Sequence, residues 1–236
     1  GRNHQILGVN NAVASVIHQE ALKKEFPKEE RLIRYKYRPE VLKVAEESLV
    51  PSGDIIHSGT DVAGLDALPL VKRAHPDLGR LGVFWHTQGS GKSYSMAFFA
   101  EKVRRRVPGN FTFVIMTDRE DLDDQIYKTF VGCGVADDQT PRAGSGKELE
   151  QLLKQNHRYV FSLIHKFNQD VKPGEPYSDR DDIVVISDEA HRTQAGKLAR
   201  NMRLALPNAS FIGFTGTPLF KNDHLTRRIF GGYVSR

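Results

Sequence analysis

Apolar residues fall along this chain into short β-branched or aromatic runs, separated by stretches in which they recur every three or four positions. The runs Leu81 to Trp85, Phe111 to Met116, Tyr159 to Ile164, Ile183 to Ile186 and Ser210 to Phe214 predict strands. Between them the spacing predicts helices: Met96, Ala100, Val103 and Val107; then Leu149, Leu152 and Leu153 behind a Ser145/Glu148 capping box; then Leu198, Met202 and Ala205. Such alternation implies an α/β fold, a mainly parallel sheet with helices on both faces. Residues 20–47 break the pattern, being rich in Lys, Arg and Glu and interrupted by Pro27 and Pro39. Residues 20–78 are expected to form an insertion or peripheral segment, with 20–47 a helical insertion or surface excursion whose charges fit a solvated face better than a DNA contact.

Chemistry enters after the first predicted strand. His86 to Ser93 reads HTQGSGKS and leads into the first predicted helix, the strand, glycine turn and helix order of a phosphate-binding loop. Gly89 and Gly91 permit backbone conformations closed to residues with a Cβ, so that successive N–H groups converge on a polyphosphate. Thr87, Gln88 and Ser90 complete that loop. The helix beginning near Lys92 adds the positive end of its dipole. Lys92 is expected to reach the β- and γ-phosphates and the Ser93 hydroxyl to take one position on a magnesium ion. The strict pattern has Gly where His86 stands, and a flexible turn with an exposed lysine is the competing interpretation. After the strand at Ile183 come Asp188 and Glu189, at the edge where open parallel sheets bind ligands. Asp188 is expected to hold the metal through water and Glu189 to orient and deprotonate the attacking water. A helix N-cap is the plainer alternative for such a pair.

The segments GVFWHTQGSGKS, TDREDLDDQ, LIHKF, SDEAHR and GFTGTP, in this order, resemble the motor-plus-nuclease (R) subunit of type I restriction enzymes, within the superfamily 2 helicases and translocases. In that family His86 in place of Gly is ordinary. The resemblance covers roughly residues 2–19 and 79–236, and it implies a RecA-like ATPase domain that uses ATP and Mg2+. It gives Gln5 the adenine edge, although no aromatic stacking partner precedes it in the chain. It gives Thr117, Arg119 and Lys166 the DNA backbone, and His191, Thr215, Gly216 and Thr217 the coupling of nucleotide state to the DNA face. The implied partners are double-stranded DNA and the methylation and specificity subunits of a restriction complex, in the cytoplasm of a bacterium or archaeon. Such motors close a two-domain cleft, so residues 1–236 are expected to be the first RecA-like domain, without the second motor domain or the nuclease. Another superfamily 2 motor and a self-contained P-loop NTPase are the alternatives. The latter leaves Thr117 to Arg119 and Gly213 to Pro218 unexplained.

Composition narrows the field without choosing within it. The chain has 236 residues, 39% of them hydrophobic, enough for one large domain or two small ones. No apolar run approaches the length of a membrane span, and no secretory signal is read. One cysteine, Cys133, excludes an internal disulfide, and no Cys/His spacing suggests zinc. A net charge of +5 permits a polyanionic partner. The run Arg104 to Arg106 fits a solvated helix end that complements the dipole.

Overall fold

The computed structural model describes residues 3–35, 70–85, 91–168, 171, 175–188, 201–216, 227 and 229–235. Its centre is a six-stranded, wholly parallel sheet. The strands are β3 (Arg80–Trp85), β4 (Thr112–Thr117), β5 (Tyr159–Leu163), β6 (Ile183–Asp188), β7 (Ser210–Thr215) and β8 (Tyr233–Ser235). Their order across the sheet is β5-β4-β6-β7-β3-β8. A separate antiparallel ribbon pairs β1 (Leu32–Tyr35) with β2 (Leu70–Arg73).

Every residue of β4, β6 and β7 is buried, because helices cover both faces. Successive side chains alternate sides. Phe113, Ile115, Val184, Ile186, Ile212 and Phe214 face α1 (Asn3–Glu25), α2 (Lys92–Arg106) and α3 (Glu120–Gly132). Val114, Met116, Val185 and Phe211 face α4 (Gly146–Lys154), the helical residues 201–205 and Phe230. Aromatic contacts knit the first face together. Phe84 stacks on Phe214 with centroids 5.0 Å apart, and Phe130 meets Phe161 edge-on at 5.3 Å. Truncating such a ring costs about 3–5 kcal/mol, so this face is a principal source of stability. Gly82, at φ 104°, lets β8 approach β3: a Cβ there would stand 2.3 Å from a Val234 methyl.

The predicted strands are all present, each with one or both ends a residue or two from the expected bounds. Ile164, expected to end β5, instead opens a 3-10 turn, Ile164–Asn168. Ser145 caps α4 as expected, accepting from the Glu148 N–H at 3.2 Å. The helical residues 201–205 carry buried Met202 and Ala205, while Leu198 lies outside the described residues. Five elements were not anticipated: α1, α3, β8 and the two strands of the β1–β2 ribbon.

The segment expected as a solvated excursion needs correcting at its start. Glu20 to Glu25 complete α1, whose Val9, Ala12, Val13 and Val16 are buried against the sheet. Lys23 and Arg31 are not solvated, since both are turned onto the loop before β6. Arg31 is 7% exposed, pairs with Asp181 at 2.7 Å and donates to the Phe26 and Lys23 carbonyls, while Lys23 donates to the Asp181 carbonyl. Their charge thus clasps α1 to the foot of β6. The core of the expected excursion, residues 36–69, lies outside the described residues. No helix among the described residues is long and apolar enough to cross a membrane.

Candidate functional site

The sequence-singled motifs gather at one end of the sheet because its strands are parallel. β7 lies between β3 and β6, with Trp85 in register with Thr215 and Asp188 with Phe214. The end of β3 and the carboxylate ending β6 therefore flank one intervening strand. Ligands of parallel sheets bind at this carboxyl edge.

Gly91 precedes α2 at φ 84° and ψ 38°, a left-handed conformation that glycine adopts without strain. The first turn of α2 has no side-chain cap and no acidic residue, whereas its last turn carries Arg104, Arg105 and Arg106. Both ends therefore leave the positive pole of the dipole at Gly91 to Ser93. From the first position of the helix, Lys92 reaches Asp188, with Nζ and Oδ1 2.7 Å apart. Asp188 is 4% exposed, and the Lys92 side chain 20%. Ser93 follows at the second helical position, partly buried. A buried carboxylate and a hydroxyl near one helix start are hard oxygen donors of the kind magnesium prefers, so these residues fit that ion.

Gln5 comes to the same place from a distant part of the chain. Its side-chain Nε2 lies 3.0 Å from the point a Cβ at Gly91 would occupy, and the Tyr94 ring 3.7 Å from that point. Thr215, the last residue of β7, is fully buried, with Gly216 beyond it partly buried. Trp85 ends β3, and its indole nitrogen is buried without a hydrogen-bond partner among the described residues. Thr87, Gln88, Gly89, Ser90, Glu189, His191 and Thr217 lie outside the described residues.

The residues expected on a DNA face divide. Arg119 opens α3 with its side chain 54% exposed, 3.7 Å from Asp118. Thr117 is 1% exposed and its hydroxyl donates to Asp123 at 3.4 Å. Lys166 donates to the Gly144 carbonyl at 2.6 Å. Behind these groups sits a pair that the sequence did not reveal. Asp123, 6% exposed, accepts from Arg142 at 2.5 Å, and the same guanidinium reaches Asp124 and covers the Tyr127 ring at 4.8 Å. The hydrogen bond from Arg142, with its positive charge, holds the Asp124 carboxyl below the usual carboxylate range. The pair ties the first turn of α3 to the strap that runs beside β5.

A small pocket at the other end of the strands is lined in part by Gln19, Lys23, Arg31 and Ser210. Its polar groups serve the fold: Gln19 donates to the Asp77 and Arg80 carbonyls and accepts from the Gly79 N–H at 2.8 Å. The motif residues lie at the opposite edge.

Residues 66–236 match the SWI2/SNF2 ATPase family. The HindI endonuclease subunit of a type I restriction enzyme from Haemophilus influenzae is 47% identical over 174 residues, covering 66% of this chain and 16% of that protein. The putative MjaIXP endonuclease subunit from Methanocaldococcus jannaschii is 40% identical over 164 residues, covering 68% of this chain and 16% of that protein. The chain thus spans about a sixth of the length of these relatives. The crystal structure of the UvsW helicase from bacteriophage T4 superposes with a TM-score of 0.50 at 17% identity, over 69% of this chain and 60% of that one, a likeness of fold.

Proposed function

Because the chain belongs to the SWI2/SNF2 ATPase family, we propose that it is the ATP-binding half of a DNA translocase motor in the restriction subunit of a type I restriction enzyme. Carrying this reading is one observation: Lys92, at the uncapped start of α2, and buried Asp188 meet at the carboxyl edge of a parallel sheet. A triphosphate there is held by the helix dipole and by Lys92, which exchanges Asp188 for the β- and γ-phosphates. Ser93 and Asp188 would hold magnesium, which when bound neutralises charge on those phosphate oxygens. Gln5, beside Gly91, offers an amide donor and acceptor that match N6–H and N7 of adenine. Glu189 takes the proton of the attacking water, and Thr215 to Thr217 with His191 pass the change onward.

Double-stranded DNA, running over Arg119 and Lys166, is the track, and methylation and specificity subunits complete the complex. Cleavage belongs to a nuclease domain elsewhere in the subunit. Residues 1–236 then form the first RecA-like domain, with the segment expected at residues 20–78 as an insertion or peripheral part of it. The relatives' names support the restriction setting.

In the full-length protein, Lys92→Ala weakens ATP binding by roughly tenfold or more, the scale of a lost charge-assisted contact. Glu189→Gln leaves binding intact and lowers DNA-stimulated turnover by about a hundredfold or more. Titration calorimetry and a phosphate-release assay separate the two effects. Unchanged ATP affinity in Lys92→Ala refutes the site.

A further inference from the structure

Aromatic side chains of this chain are mostly core, yet two lie open beside the phosphate loop. Tyr94 is 52% exposed and Phe98 54% exposed, the exposed aromatics among the described residues. They stand one turn apart on α2 with ring centroids 6.3 Å apart. Ile6 and Leu7, which follow Gln5 in α1, are 51% and 62% exposed. The paired Tyr94 and Phe98 rings offer a ligand an open π surface.

Position and chemistry together restrict what that is. Tyr94 lies two residues after Lys92, about 200° around the helix, so its ring leaves the side on which Lys92 meets Asp188. It nonetheless remains close to the loop, within 3.7 Å of the point that a Cβ on Gly91 would fill, with the Gln5 amide 3.0 Å from the same point. A π face and a carboxamide thus converge on the backbone expected to hold phosphates. A planar base attached to those phosphates offers a face for the ring and an edge for the amide. We infer that Tyr94 is the stacking platform for the purine base of the bound nucleotide. This inference rests on the nucleotide-binding reading given above and adds to it the residue that separates a nucleotide from a bare polyphosphate.

The test uses the full-length protein with magnesium, titrated with ATP and separately with inorganic tripolyphosphate, which has the phosphates but no base. Tyr94→Ala weakens ATP binding about tenfold, within the range measured for base stacking on aromatic side chains, and leaves tripolyphosphate binding unchanged. Tyr94→Phe keeps the ring and binds ATP as the parent does. Tyr94→Leu keeps the apolar bulk without the π face and behaves like Tyr94→Ala; it also serves if the alanine variant fails to fold. Lys92→Ala weakens both ligands. If Tyr94→Ala and Tyr94→Leu bind ATP like the parent while Lys92→Ala does not, the stacking role is wrong and the nucleotide site stands. Equal loss of ATP and tripolyphosphate in the Tyr94 variants means that the ring supports the loop, and this also overturns the proposal. If Lys92→Ala changes neither ligand, the nucleotide-binding reading itself fails and takes this one with it.

Discussion

At residue scale the central fact is that Lys92 is held 2.7 Å from Asp188, a carboxylate that is 4% exposed. Removing one partner of a buried pair leaves the other charge in poor solvation. Lys92→Ala is therefore expected to destabilise the folded protein by about 3 kcal/mol in urea unfolding. Asp188→Asn added to that variant should recover much of the loss, because the stranded charge is gone. Equal stability of single and double variants would contradict the coupling. Lys92, Ser93 and Asp188 were legible in the sequence because local spacing fixes them: a glycine turn before a helix, an acid after an apolar strand. Asp123 and Arg142 were not. Nineteen positions separate them, and nothing in either neighbourhood names the other. The burial of Thr117 was hidden for the same reason, as its partner is that same carboxylate.

At the scale of elements, strands buried on both faces read directly from continuous apolar runs, and five of the six in the main sheet did so. β8 has three residues, too few for any periodicity. The apolar stripe of α1 is blurred by Ile6, Leu7 and Ile17 on its exposed side, so the periodicity that reveals a helix is weak. α3 begins with Glu120, Asp121 and Asp123, which suits the positive dipole end but reads from sequence as a charged loop. Its first turn is anchored by Arg142, and the anchor can be tested. Arg142→Met keeps an apolar stem over the Tyr127 ring and removes the charge, with an expected cost of about 2 kcal/mol by chemical denaturation. Adding Asp123→Asn should return part of it. A variant as stable as the parent would show that the pair is merely a surface contact.

Across the whole molecule the two ends of the sheet have different tasks: the carboxyl edge collects the motif residues, and the opposite edge holds the chain together. Burial alone would raise the Asp181 carboxyl, but the hydrogen bond from Arg31 and the charges of Lys23, Arg31 and Lys28 outweigh it and keep it below its ordinary value. Glu101 is held low chiefly by its hydrogen bond from Arg104, with Tyr159 also donating to it at 2.7 Å. A carboxyl depressed in the folded state binds fewer protons there than when unfolded. Its contribution is complete above the ordinary carboxylate range, about pH 4, and is lost as pH falls through the lower folded value. Melting temperature should accordingly hold from neutral pH down to that range and then drop, and Arg31→Met should shallow the drop. At the same scale, the proposed motor reading has arginines supplied across a two-domain cleft, where they contribute on the order of a thousandfold to turnover. The isolated 236 residues are therefore expected to bind ATP yet hydrolyse it near background in a phosphate-release assay; brisk DNA-stimulated turnover would favour a self-contained NTPase. The chain also has a single tryptophan, Trp85, at the last position of β3, with its indole nitrogen buried at the threshold of the phosphate loop. Its ultraviolet fluorescence is thus a native lamp at the end of β3, and on the nucleotide-binding reading proposed above, ATP binding is expected to change its colour and brightness with no label attached.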